Sequence, residues 1–194
     1  TDGEVSERLP TILLDLADLH ELLGDYEEAL ELYAEVQAAT HDVRAWRGLA
    51  SVHRRRGEYE QALAIVDEAI AADELRGQDL APLWLQAGWS LALSGRVDQA
   101  IDVFQAGLEA LRPRTDSVVG QLLAELARTE ALAGRLEDAL AHVLEAQAIF
   151  EDLSDQRGLA STMRILGDVH VKAGRLDESV AALRRGLELA ERVG

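Results

Sequence analysis

Apolar side chains fall at steps of three, four and seven along most of the chain, the spacing that gathers them on one stripe of an α-helix. Five such stretches run up to a glycine, at Gly24, Gly57, Gly95, Gly134 and Gly174. Eleven positions before each glycine stands a bulky apolar residue: Leu13, Trp46, Trp84, Leu123 and Met163. Eight before stands another apolar one (Leu16, Leu49, Ala87, Leu126, Leu166), and seven before a small one (Ala17, Ala50, Gly88, Ala127, Gly167). The stripe predicts a helix, and its small member predicts a second helix packed close against it.

A glycine just past a helix end takes the left-handed backbone conformation at least cost, so each of the five should end its helix. A second helix should start at once. The chain reads GDYEEAL at 24–30, GEYEQAL at 57–63, GRVDQAI at 95–101, GRLEDAL at 134–140 and GRLDESV at 174–180. In each phrase an apolar residue sits at the corner and an acid follows it: Glu27, Glu60, Asp98, Glu137, Asp177. An acid in a first turn faces the positive end of the helix dipole, which is reason enough for those carboxylates. Ala29, Ala62, Ala100, Ala139 and Ser179 come next on the crossing face, and Tyr33, Val66, Phe104, Val143 and Leu183 four residues later fill the space between helices. The glycines are 33, 38, 39 and 40 residues apart, and the longer intervals are expected to reflect helices about a turn longer. Asp155, and either Thr115 or Asp116, are candidate helix caps.

These columns resemble the tetratricopeptide repeat: a large residue, a small one, then glycine, aromatic, acid and alanine at fixed offsets, with a period near 34. The resemblance covers nearly the whole chain. It implies an all-α, right-handed α-solenoid of five tandem helix-turn-helix repeats. The chain would form one array over 1–194, with repeats near 5–40, 41–76, 79–113, 116–154 and 155–194. The closing proline is absent, and residue 179 is serine in place of alanine. The stretch AIFEDLSDQRGLASTMRILGDVHVKAGRLDES at 148–179 further resembles long-period arrays of bacterial signalling proteins, in which repeats accompany an NTPase, a DNA-binding domain or a nucleotide cyclase.

Composition narrows the function. The net charge of −17 argues against nucleic acid and anionic membranes as partners, because phosphate binding relies on clustered cations. Without cysteine the chain has no disulfide, thiolate chemistry or Cys-based zinc site. No apolar run is long enough for a membrane span and no secretory signal is evident, so the cytoplasm is expected. The first residue is Thr1, as expected of a processed product or an excised piece.

No phosphate-binding glycine loop, HExxH pair or nucleophile elbow occurs, so neither a cofactor nor catalysis is expected. His20, His53 and His170 share one slot, four residues before their glycines. Equivalent slots on neighbouring helices lie roughly 8–10 Å apart, too far to share a zinc held at about 2.1 Å, so packing or hydrogen bonding is expected of them. His41 and His142 have no ligand-like partner at helical spacing.

The resemblance implies that the first helix of each repeat lines a concave groove, at positions thirteen, ten, six and three before each glycine. Carried onto this chain, those positions place Arg44, Arg47, Ser51, Arg54, Leu85, Trp89, Arg128, Arg164 and Asp168 on one surface. Guanidinium groups around an indole suit a protein or peptide segment with carboxylates and an apolar anchor. Two other readings stand beside that one. Arg54, Arg55 and Arg56 end a helix, where cations complement the dipole, and Arg44 and Arg47 could pair with Asp15 or Asp18. Trp89 could equally lie under a neighbouring helix. The family's carboxylate-clamp grooves use Lys and Asn, where this chain has Arg47 and Ser51, so that specificity is not carried over.

The leading expectation is a non-catalytic protein- or peptide-binding module, its partner including another domain of the same parent protein. The alternative is a sensor segment of a larger bacterial NTPase, cyclase or transcription regulator, binding a small inducer. End-to-end self-association is a third expectation, because Val180, Leu183, Leu187 and Ala190 of the last helix form a stripe with no following helix to cover it.

Overall fold

The computed structural model describes residues 2–72, 75, 80–111 and 113–193, with side chains from residue 8 onward. Among the described residues the structure is helical, without strands. Ten helices follow one another: α1 (Asp2–Leu23), α2 (Tyr26–Thr40), α3 (Val43–Arg55), α4 (Tyr59–Ala71), α5 (Ala81–Leu93), α6 (Val97–Leu111), α7 (Ser117–Leu132), α8 (Leu136–Asp152), α9 (Gln156–Lys172) and α10 (Leu176–Val193). The chain divides into two compact units, Thr1–Ser94 and Gly95–Gly194. Unit 1 holds α1 to α5 and unit 2 holds α6 to α10.

The turn that repeats is the one the phrase encodes. Gly24, Gly57, Gly95, Gly134 and Gly174 all have positive φ, between 73° and 88°. The left-handed residue lets the amide after it reach back to a carbonyl of the last helical turn, as Asp25 N does to His20 O at 2.9 Å and Arg175 N to His170 O at 2.8 Å. Orphan carbonyls at the helix end are thereby satisfied, and the next helix starts two residues later. The return turns between repeats have their own devices. Asp42 accepts from Arg44 N at 2.8 Å, Asp116 from Val118 N and Val119 N, and Asp155 from Gly158 N at 2.9 Å. Of the two candidates before α7, Asp116 is the cap. Ser117 Oγ also donates to Asp155 Oδ2 at 3.2 Å, tying the start of α7 to the start of α9.

The residue seven before the glycine is buried in all five repeats, and so are Ala29, Ala62, Ala100, Ala139 and Ser179. The lengthened intervals have two origins. Between Gly134 and Gly174 the helices themselves are longer, α8 and α9 having 17 residues each where α3 and α4 have 13. Between Gly57 and Gly95 the flanking helices α4 and α5 have only 13 residues each, and the surplus falls between Ala71 and Ala81. The expectation of longer helices is corrected for that interval, and its segment 72–82 lies partly outside the described residues.

Helix contacts inside each unit are close enough to exclude a methyl group. A Cβ at Gly48 of α3 would overlap the ring of Tyr33, which is fully buried. In unit 2 the Phe150 ring of α8 fills the space beside two glycines, one on each flanking helix: a Cβ at Gly120 of α7 would come within 2.8 Å of the ring, and one at Gly158 of α9 would overlap it.

Gly48→Ala should therefore cost about 1–3 kcal/mol through overpacking. Gly134→Ala, with nothing within 4 Å of its added methyl group, should cost only the left-handed strain of about 1 kcal/mol. Urea midpoints of the two variants check this; equal losses would mean that the Tyr33 ring moves aside freely.

Candidate ligand-binding faces on the first helices of the repeats

In unit 1, three acids of α1 face four basic or polar residues of α3. Arg44 donates to Asp15 at 2.9 Å and to Asp18 at 3.0 Å, and Arg47 donates to Asp18 at 2.9 Å. Ser51 Oγ donates to Glu21 Oε1 at 2.6 Å, and Arg55 Nε reaches the same oxygen at 2.8 Å. Tyr33 of α2 completes the cluster, its hydroxyl donating to Asp18 at 2.6 Å and Glu21 at 3.1 Å. Burial first, and then the bond to Asp18, hold the Tyr33 hydroxyl far above its ordinary pKa, so it remains a donor. The bond to Asp15 raises the pKa of Arg44. The pairing with Asp15 and Asp18, one of the two readings of the sequence, is the geometry found.

On the same unit Arg54 donates to Gln86 Oε1 at 3.0 Å and lies over the Trp89 ring, 5.2 Å from its centroid. Trp89 is half-buried beneath this cation. Ser51 and Leu85 are 6% and 5% exposed, so both form the wall of the face and offer a ligand little surface.

Unit 2 brings Arg128, Arg164 and Asp168 to one open cavity of about 500 Å³ between α7 and α9. Lys172 joins their rim, and Leu132 and Val171 give it exposed apolar surface. Arg128 is held by Glu125 at 2.6 Å, one turn before it. Arg164 reaches Asp168 at 3.4 Å, long for a charge-assisted bond, with both side chains more than half exposed.

The sequence reading left His142 without a partner, and the structure supplies one. Its Nδ1 lies 2.7 Å from Glu130 Oε2, and the Glu130 side chain is only 1% exposed. The pair joins α7 to α8 across twelve residues, a separation that no one-helix pattern reveals. The hydrogen bond to Glu130 raises the pKa of His142 against the opposing effect of burial, with Glu145 and Asp138 adding to the rise. His20 and His53 contact the acid after their glycine, Asp25 at 3.4 Å and Glu58 at 2.6 Å. In the fifth repeat that position is Arg175, and His170 Nδ1 is buried without a protein partner. Among the described residues no group of three metal-ligating side chains forms, and no helix is long and apolar enough to cross a membrane.

A family model described as a tetratricopeptide repeat matches residues 42–112 and 119–192, and a second of the same description matches residues 12–44. No curated protein matches the chain. Among solved structures it is similar to BtubC from P. vanneervenii, with TM-score 0.74 and 19% identity over 92% of this chain and 78% of that one. It is also similar to a thermophilic TPR protein from Thermus thermophilus, with TM-score 0.74 and 21% identity over 94% of this chain and 92% of the other. YrrB, described as a TPR protein with an unusual peptide-binding site, gives TM-score 0.58 and 16% identity over 97% of this chain and 91% of its own. At such identities the likeness is one of fold.

The pair of half-buried His142 with buried Glu130 gives the stability of unit 2 a pH dependence whose sign follows from the raised pKa of His142. A histidine whose pKa is raised on folding contributes fully below its unfolded value of about 6.5, and the contribution is lost as pH rises through the folded value. The thermal midpoint should therefore fall as pH rises above about 6.5, and His142→Gln should flatten that part of the profile. Thermal scans by circular dichroism across that range check it; an unchanged slope in the variant would remove the pair as its source.

Proposed function

The chain belongs to the tetratricopeptide repeat family, and from that premise we propose that it is a non-catalytic module binding an acidic protein or peptide segment with an apolar anchor. The family's fold supports protein–protein interaction in general. The observation that carries the finer reading is the α7–α9 cavity of unit 2, with Arg128, Arg164 and Lys172 beside exposed Leu132 and Val171. Cations around an apolar floor suit a carboxylate-bearing segment with one hydrophobic side chain. The partner includes another domain of the same parent protein, within a single array over 1–194 and a cytoplasmic setting. Another copy of the chain is a separate class of partner.

The face of unit 1 takes a secondary place in this reading. Arg44 and Arg47 are already neutralised by Asp15 and Asp18, so an acidic ligand would have to displace those carboxylates. Arg54 and Trp89 offer the flat cation-on-ring surface of that unit. Arg47→Glu is a poor probe, because the new carboxylate would meet Asp18.

The test is a selection from random peptides against the whole chain, followed by titration of the peptides obtained. The reading expects Asp- or Glu-rich sequences around a Leu, Phe or similar anchor. Their affinity should fall at least about tenfold, near 1.4 kcal/mol, in Arg128→Glu/Arg164→Glu, and should weaken with salt. Peptides that are basic, or that bind the double variant equally well, would overturn it.

A further inference from the structure

The internal pairing of unit 1 shows how one first helix answers the face of the next. Counting back from its glycine, α3 carries Arg47, Ser51 and Arg55 at ten, six and two, one strip along the helix. All three donate hydrogen bonds, and α1 supplies the acceptors. Asp18, six before its own glycine, takes Arg47 at 2.9 Å. Glu21, three before, takes Ser51 at 2.6 Å and Arg55 at 2.8 Å. The same register recurs at the following joint, where Arg54, three before its glycine, lies over Trp89, six before the next.

In unit 2 both the strip and the reply are rewritten. At the three positions α9 carries Arg164, Asp168 and Lys172: a donor, an acceptor and a donor. Where α1 has Asp18 and Glu21, α7 has Arg128 and Ala131. These five residues line the cavity of about 500 Å³. The acids that answer the strip in unit 1 are thus missing from α7 at both positions, and a further cation stands in place of one. Glu125 holds Arg128 from its own helix at 2.6 Å. Within the strip, Arg164 and Asp168 meet at 3.4 Å with both side chains more than half exposed.

Building on the reading of this cavity as a site for an acidic segment, we propose that its occupant is an extended protein segment in which a basic residue stands between two acids at alternate positions. The charges dictate the order. One acid lies between Arg128 and Arg164, the base meets Asp168, and the second acid meets Lys172. Residues four apart on α9 are about 6 Å apart along the helix, and alternate residues of an extended chain are about 6.6 Å apart on one side, so the three contacts stay in step. Leu132 and Val171, about half exposed, stand at the Lys172 end, so the apolar anchor falls two residues beyond the second acid. Asp168 is the residue that sets specificity: it repels an acid at the middle position, where three donors alone would accept any acidic run.

A displayed peptide library tests this, with three alternate positions drawn from Glu, Lys and Ser, serine between them, and leucine two residues beyond the third. Selected on the whole chain, it should yield Glu, Lys and Glu in that order. In titration, the peptide of that order, blocked at both ends, should bind at least about tenfold more tightly than its isomer with Lys first, which has the same net charge. Asp168→Ser, which gives α9 the residue that α3 has at this position, should erase the difference, and Asp168→Lys should turn the middle preference to Glu. Both variants alter one exposed side chain and should keep the helical circular dichroism. A selection indifferent to the middle position, isomers of equal affinity, a preference that survives in Asp168→Ser, or stronger binding when the same three residues are spaced four apart overturns the proposal. If acidic peptides still lose affinity in Arg128→Glu/Arg164→Glu, only the charge order falls and the cavity remains a site for acidic segments. If nothing is selected, or the double variant binds equally well, both readings fall.

Discussion

Within each unit the helices carry apolar residues on two sides, so the pairs α1–α2, α3–α4, α7–α8 and α9–α10, folded at their glycine turns, bury one side of each partner against the other. Tyr33, Val66, Phe104 and Val143 are at most 1% exposed because a following helix covers them. The turn makes this geometry repeatable: a residue at positive φ satisfies the ends of one helix and redirects the chain within two residues. Stability in such an architecture is approximately a sum over pairs and the joints between them. The surfaces available for binding are then the faces of the first helices that no joint consumes.

The acidic composition is reconciled with a surface rich in arginine by pairing across helices. Asp15, Asp18 and Glu21 meet Arg44, Arg47 and Arg55, and Tyr33 seals the cluster from beneath. Such contacts contribute little when exposed, but the more buried members tolerate few arrangements. Glu21 and Glu130 are 9% and 1% exposed, and each has found donors on a neighbouring helix. A slip of one helix by a residue would strand those carboxylates, so they help to fix the register that apolar stripes leave looser.

The repeat itself was readable because it is written in local terms. Gly24 to Gly174, the small residues seven before them and the caps Asp116 and Asp155 depend only on helical period and turn chemistry, and each stands where that chemistry puts it. The pairing of His142 with Glu130 was not readable, because it rests on how far α8 rotates against α7. Leu85 and Ser51 share groove columns with Arg164 and Asp168, yet the former pair is buried and the latter exposed, a difference that the column position alone does not encode. The interval from Gly57 to Gly95 misled for a simpler reason: a spacing reports how many residues are added and not whether helix or connection receives them.

Phe150 shows what shared packing does to the way such a chain comes apart. One ring closes against Gly120 on α7 and Gly158 on α9, so two successive repeats are latched by a single side chain. Neither α7 nor α9 can leave α8 while the ring stays seated. These three helices of unit 2 should thus let go in a single step.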